Sequence, residues 1–311
     1  MIKRALVLLP PGTERTDEAL SPLAQMGGLT LIQRILYSLQ WAGIEEGVVL
    51  SQGEWPGLAH HMRKDSKIKA FSLLSTKASR EYFSEGNAGF SDREDCIVQF
   101  PCRIVDRQVL KDICNREEPL SEIILFEPPP SLDPAGGGTP PLALVPGTSA
   151  RALIQAWEER GPIDEGIRSL QETAVVRKEQ VPEEALIRVE RESALPRAEG
   201  RLFQRLIKPT ESFLSQKFER KVSLAITRRL LYTRVTPNQI SILSILLGVS
   251  STFLFLGESR MLHVLGGVLL LLSSIVDGCD GELARLRFQE SRSGSWLDFL
   301  GDNVVHMSVF F

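Results

Sequence analysis

The 311-residue sequence is poor in metal-binding side chains of the soft and imidazole type, with four cysteines and four histidines. Cys96, Cys102, Cys114 and Cys279 form no CxxC pair and no zinc-type spacing, so reduced thiols are expected. His60 and His61 have no matching ligand cluster and read as a helix-surface pair. Positive charge is not in excess either. The net charge is −3, and no stretch combines a basic patch with interleaved aromatics, which argues against nucleic-acid binding. The opening residues Met1 to Pro10 lack the longer apolar run and small-residue cleavage site of a signal peptide, and read instead as a first buried strand. Residues 1 to 200 read as soluble and residues 235 to 311 do not, so any chain-wide average of hydrophobicity hides two different halves.

What is present lies near the end. Asp277, Asp280, Asp298 and Asp302 stand inside segments that otherwise read as membrane-spanning. The first pair is three residues apart and the second four, so on helices each pair shares one face. Four carboxylates in a hydrocarbon layer repel one another and are costly to ionise, which requires a cation between them. An all-oxygen site suits hard divalent ions such as magnesium, manganese or calcium and leaves positions for phosphate oxygens. Gly281 and Gly294 remove side chains beside these faces, and Arg285 offers a planar fork suited to phosphate. An ion-pair network around Arg285 is the alternative, but one arginine neutralises only one or two of four acids.

The spacing D-x2-D-G-x2-A-R-x8-G-x3-D-x3-D over residues 277–302 resembles the signature of the CDP-alcohol phosphotransferase family at all eight fixed positions. That resemblance implies transfer of a substituted phosphoryl group from a CDP-linked donor to an alcohol acceptor, with release of CMP. It implies that Asp277, Asp280, Asp298 and Asp302 are metal ligands for two divalent cations, Mg2+ or Mn2+, with Asp302 also the catalytic base. Gly281, Ala284, Arg285 and Gly294 become the nucleotide-facing positions, and a homodimer is the family expectation.

Further upstream, apolar runs at Ala5–Leu9, Val48–Leu50, Ala70–Leu74, Cys96–Phe100, Ile123–Phe126 and Leu142–Val145 predict strands. Helical spacing covers Leu29–Trp41 and regions near 55–65, 107–115 and 149–158, and this alternation predicts a mostly parallel α/β sheet. The stretch from Leu20 to Arg34, with Ser21-Pro22-Leu23 and Gly27-Gly28, resembles the sugar-nucleotidyltransferase family over about the first 120 residues. Departures accompany the match. Pro10 to Arg15 replaces the glycine-rich phosphate loop, Ser21 stands where a lysine is expected, and Phe100-Pro101-Cys102 replaces the metal aspartate, with Asp106 the nearest acid. Such a domain lacks the charges that stabilise nucleotidyl transfer and is expected to have lost that catalysis. The alternative is a bifunctional protein whose front domain makes the CDP-alcohol, as in fused inositol-phosphate enzymes; a non-catalytic membrane-anchored module is the third reading.

The glycine and proline clusters at Pro128–Pro130 and Gly136–Pro141 read as a surface loop, and the charged stretch 171–200 as the last soluble elements and a connector. From Arg201 to Arg234 nine Lys or Arg face two Glu, with apolar stripes at helical spacing, which predicts a basic amphipathic element at an anionic headgroup surface. Val235–Gly257 has no charged residue and is long enough to span; Met261–Val276 is a second span running into Asp277; a third begins near Gly294 and is expected to be incomplete at Phe311. The resulting division is an α/β nucleotidyltransferase-like, Rossmann-type cytosolic domain (1–195), a juxtamembrane connector (196–234) and an α-helical transmembrane domain (235–311). Membrane lipid is thus an expected partner, and the basic flank places the soluble part and the active site on the cytoplasmic side. Reporters fused after Arg234 and at Ser259 should therefore read opposite sides of the membrane, Arg234 cytoplasmic; the reverse pattern would overturn the orientation.

Overall fold

Strand β1 (Arg4–Leu9) is buried along its length apart from Arg4, and its alternate side chains enter two different cores. Val7 and Leu9 pack with Ile32, Leu36 and Leu39 on one face, whereas Leu6 and Leu8 pack with Val98 and Leu153 on the other. A strand apolar on both sides needs cover on both sides, and that dictates a layered α/β arrangement. The computed structural model describes residues 1–9, 20–51, 53, 55–68, 70–75, 94–100, 103–118, 120–129, 140–160, 175–189, 191–207 and 219–310. They form two compact units, Met1–Met26 with Thr30–Ala198, and Gly27–Leu29 with Glu199–Phe311.

Along the chain, β1 is followed by short strands β2 (Gln25–Met26) and β3 (Leu29–Thr30), β4 (Glu46–Ser51), β5 (Phe71–Ser75), β6 (Cys96–Gln99), β7 (Arg103–Val105), β8 (Ile123–Glu127), β9 (Leu142–Val145), β10 (Val176–Gln180) and β11 (Leu186–Arg188). The main sheet has the order β10-β8-β9-β6-β1-β4-β5. Pairings β1 with β4 and β6, β4 with β5, and β8 with β10 are parallel; β9 alone runs antiparallel to both its neighbours, β6 and β8. The expected strands thus form, within two residues of their predicted ends, while the reversed β9, the charged edge strand β10 and the β7–β11 ladder go beyond the sequence pattern. Helices α1 (Leu31–Trp41), α2 (Leu58–Lys64), α3 (Arg107–Cys114) and α4 (Gly147–Arg160) account for the expected helical regions.

Local chemistry explains the ends of α1. Thr30 Oγ1 accepts from Gln33 N–H at 3.3 Å while Gln33 Oε1 accepts from Thr30 N–H at 3.0 Å, a reciprocal N-terminal cap. Gly43, at φ +103°, takes the conformation that lets Ile44 N–H reach Leu39 O at 3.1 Å and close the helix. His60 is exposed, and His61 Nε2 lies 3.2 Å from Thr30 Oγ1. Cys96 and Cys114 are buried free thiols that burial pushes up to about 12, in keeping with a reduced, unreactive state. The Pro10–Arg15 loop, Pro101, Cys102, residues 136–139, Phe213, Leu214 and Phe218 lie outside the described residues.

The second unit contains the end of α5 (Leu195–Gln204), then α6 (Arg220–Leu230), α7 (Pro237–Phe255), α8 (Arg260–Leu286) and α9 (Arg292–Phe310). Pro237 begins α7 at the position where its missing N–H costs nothing, and Gln239 Oε1 accepts from Thr236 N–H at 3.0 Å. At 19 residues α7 is about 28 Å long and α8, at 27, about 40 Å. Both are long and apolar enough to cross a membrane. Their polarity is inverted relative to a soluble bundle. Ser241, Ser244, Gly248 and Ser251 are buried on α7, whereas Leu246, Phe253, Val264, Leu265, Val268 and Met307 are exposed. Small residues at this spacing let helix backbones approach closely. A Cβ on Gly248 would meet Val305 Cγ2 of α9 at 2.6 Å, and one on Gly301 would meet Ile245 Cδ1 at 2.3 Å.

Helix α6 is fixed to α8 by one buried acid. Glu282 is 0% exposed and accepts from Ser223 Oγ at 2.5 Å, Thr227 Oγ1 at 2.7 Å and Arg220 Nη1 at 3.0 Å. Breaking a buried pair from one side strands a charge, so Arg220→Met should cost about 3 kcal/mol. Adding Glu282→Gln should recover most of that loss; thermal denaturation in detergent checks both. In the first unit, Asp65 Oδ2 accepts from Tyr37 Oη at 2.5 Å and Gln33 Nε2 at 2.6 Å. Burial raises the Asp65 carboxyl, but these hydrogen bonds, with that from Lys67 N–H, outweigh it and hold it below its ordinary value. A depressed acid stabilises the fold above its unfolded value, near pH 4, and the contribution disappears as pH falls through the folded value. Tyr37→Phe in isolated residues 1–200 should lower unfolding free energy by about 1 kcal/mol at pH 7, with the difference narrowing below about pH 4 in urea titrations.

Candidate metal centre and its two clefts

One helical turn separates Asp277 from Asp280 on α8, and Asp298 comes from the first half of α9. Each of the three offers a carboxylate oxygen within 4.8 Å of the others. Asp280 is buried at 7% exposure and accepts a hydrogen bond from Ser241 Oγ; Asp277 Oδ1 accepts from Ser244 Oγ at 3.3 Å. The buried serines of α7 therefore supply donors to one side of the acids. Three converging hard oxygen donors are a chemical fit for a divalent cation, and those residues could hold one. Asp302 is not part of that three-residue group and is exposed on α9 one turn beyond Asp298.

Two clefts flank the aspartates. A cleft of about 170 Å³ is lined by Asp280 and Asp298 together with Gly281, Ala284, Arg285 and Gly294, so all four positions expected to face a nucleotide share one wall system. Arg285 lies over Gly281, where an added Cβ would be 3.5 Å from its Nη1. At Gly294 an added Cβ would be 3.0 Å from Ser291 Oγ and 3.2 Å from Asn238 Oδ1, so any larger residue narrows the cleft. The second cleft, of about 380 Å³, is lined by Asp277, Asp302, His306, Ser244, Ser273 and Ser274, with Ile245, Leu270, Val305 and Val309 as apolar walls. Of the motif residues, then, Asp302 is brought together with Asp277, and the other six belong to the smaller cleft.

Sequence reasoning missed several residues that build this geometry. Ser241 and Ser244 are ordinary small residues in an apolar span; their spacing on the face of α7 toward α8 was the available signal. Arg287, a charged residue just past the end of α8, is only 8% exposed. Its Nη1 donates to Val235 O at 2.6 Å, and its Nη2 to Leu230 O, Leu231 O and Thr233 O at 2.6–2.8 Å. A cation on the last carbonyls of α6 complements that helix end and ties the α6–α7 turn to the end of α8, beside Pro237 and Asn238 of the smaller cleft.

Residues 234–311 match the family model of the CDP-alcohol phosphatidyltransferases. Similar curated proteins are each named "Bifunctional IPC transferase and DIPP synthase": one from Aquifex aeolicus is 38% identical over 95 residues, covering 30% of this chain and 21% of the relative. One from Thermococcus kodakarensis is 37% identical over 112 residues, 36% of this chain and 25% of the relative. One from Rubrobacter xylanophilus is 47% identical over 70 residues, 22% and 15%. The chain thus covers a quarter or less of the length of these relatives. Solved structures similar to it include a UTP-bound UGPase from Acinetobacter baumannii, 13% identical over 68% of this chain and 95% of that one, TM-score 0.47. Another is Rv0371c from Mycobacterium tuberculosis, 15% identical over 64% of this chain and 98% of that one, TM-score 0.45. Residues 234–311, which contain every motif aspartate, are a CDP-alcohol phosphatidyltransferase domain.

Proposed function

We propose that the protein transfers a substituted phosphoryl group from a CDP-linked donor to an alcohol, releasing CMP, in phospholipid or polyol-phosphodiester synthesis. The observation that carries this reading is the pair of clefts on either side of the aspartate cluster, one with Arg285 and the glycines, the other with Asp302. In it, Asp277, Asp280 and Asp298 hold divalent ions, Mg2+ or Mn2+, and Asp302 completes the ligand set from the larger cleft. When bound, such ions supply Lewis-acid stabilisation to the donor pyrophosphate. Arg285 holds a phosphate oxygen through its fork, and Gly281, Ala284 and Gly294 leave space for the nucleotide. From the larger cleft, the acceptor hydroxyl oxygen forms the new bond to phosphorus as the bond to the CMP oxygen breaks. Asp302 takes the hydroxyl proton, and CMP leaves through the smaller cleft.

The setting is a membrane. Helices α7 and α8 carry their apolar residues outward and their acids inward, as expected where lipid rather than water is the surrounding solvent. In the first unit, Ser21 Oγ accepts from Leu23 N–H at 3.2 Å and Asp106 caps α3 through Gln108 N–H at 2.8 Å. The nearest acid to the expected metal position thus serves a helix end, which supports a front domain that has lost nucleotidyl transfer. The name these relatives share favours the second reading, in which both activities reside in one protein. Pyrophosphate release from CTP by isolated residues 1–200, dependent on a sugar or polyol phosphate that takes up the cytidylyl group, would decide for it.

The phosphotransferase reading is tested in the full-length protein by CMP release from CDP-diacylglycerol or CDP-inositol against an acceptor panel. Asp280→Asn and Asp298→Asn should each lower the rate at least about 100-fold, as should chelation of divalent metal, reversed by adding Mg2+ or Mn2+. Asp302→Asn should abolish transfer while retaining more donor binding than either. Near-wild-type rates in Asp298→Asn and Asp302→Asn together would remove the support for this mechanism.

A further inference from the structure

The larger cleft holds an imidazole that neither the motif nor the mechanism uses. His306 lines it, one helical turn beyond Asp302 on α9. Its Nδ1 lies 2.7 Å from the backbone oxygen of Asp302. A carbonyl oxygen only accepts, so Nδ1 carries the ring proton, and Nε2 of the neutral imidazole keeps its lone pair. Among the described residues Nε2 makes no hydrogen bond. The helix backbone thus fixes which nitrogen donates and leaves the other as an acceptor. Ile245, Leu270 and Val305 give the same cleft apolar walls. A molecule that fills this space displaces the water able to satisfy Nε2 and must bring a donor of its own, or leave the lone pair unpaired.

We infer that His306 is a specificity-determining residue for the acceptor: its Nε2 accepts a hydrogen bond from a hydroxyl on the carbon next to the attacking one, which selects a vicinal polyol over a monohydric alcohol. This rests on the proposed function, in which the acceptor occupies the larger cleft. Asp302 and His306 are separated by about 6 Å along the helix axis. Two acceptor groups at that separation, both lining one cleft, are matched by two neighbouring hydroxyls. One gives its proton to Asp302, and the other donates to Nε2. A neighbouring ammonium would also donate, but divalent ions held by the aspartates repel a cation and leave a neutral hydroxyl undisturbed. The attacking hydroxyl is common to every alcohol, so selection among alcohols falls to the second contact.

CMP release by the full-length protein in detergent tests this, with CDP-diacylglycerol or CDP-inositol as donor. The acceptors are glycerol, inositol and their monophosphates, each paired with the deoxy analogue lacking the neighbouring hydroxyl, and ethanolamine. The unmodified protein should show a KM roughly tenfold lower for a polyol than for its analogue, the value of one hydrogen bond. His306→Leu should raise the polyol KM by that factor, leave the analogue unchanged and retain donor binding, so that removing both partners costs no more than removing one. His306→Asn should restore part of the preference, because a carboxamide that donates four residues back, as Asn303 Nδ2 does to Phe299 O at 2.6 Å, keeps its oxygen for accepting. Equal KM for polyol and analogue in the unmodified protein, a preference for ethanolamine, or an equal loss on both acceptors in a donor-binding His306→Leu protein overturns the inference and leaves the proposed function intact. Absence of CMP release with every acceptor overturns the proposed function and this inference with it.

Discussion

A carboxylate in an apolar surrounding must be given hydrogen-bond donors or cations, and the second unit is organised around that requirement. Its acids are arranged in two sets with different solutions. Glu282 is fully enclosed and satisfied by two hydroxyls and a guanidinium, so it acts as a structural fastening between α6 and α8. Asp277 and Asp280 receive serine hydroxyls from α7, and with Asp298 they converge on one point as hard oxygen donors. Adjacent residues of one helix thus do different work because they face different neighbours, Glu282 toward α6 and Asp280 toward α7.

The small residues of α7 make this possible. Glycine and serine at positions 241, 244, 248 and 251 reduce the thickness of the helix where α8 and α9 pack, and Ser241 and Ser244 double as donors to the acids. Larger side chains there would separate the helices and the acids with them, as the close approach at Gly248 and Gly301 shows. Outside, the same helices are covered with leucine, valine and phenylalanine. Packing within and solvation without therefore impose opposite compositions on opposite faces, which suits a lipid exterior.

The first unit obeys the other logic. Its sheet is apolar on both faces and its polar residues are used at helix ends, in the cap at Thr30, the Asp65 network and the cap at Asp106. Those positions are consistent with a stable frame whose acids serve structure.

Periodicity and composition alone determined the strands of the parallel core, the α1 boundaries near Thr30 and Gly43, the two apolar helices and the aspartate-bearing motif, because each depends on neighbours close in sequence. The antiparallel insertion of β9 was not legible, since a buried apolar strand looks the same in either direction. Nor were the roles of Ser241, Ser244, Glu282 and Arg287. Serines in an apolar span and single charged residues at a helix end have many meanings until the helices that face them are known. Only the tertiary structure decided that three aspartates converge while Asp302 lines a separate cleft, because positions four apart on one helix share a side but not a point in space, and the partner helix chooses which of them meet.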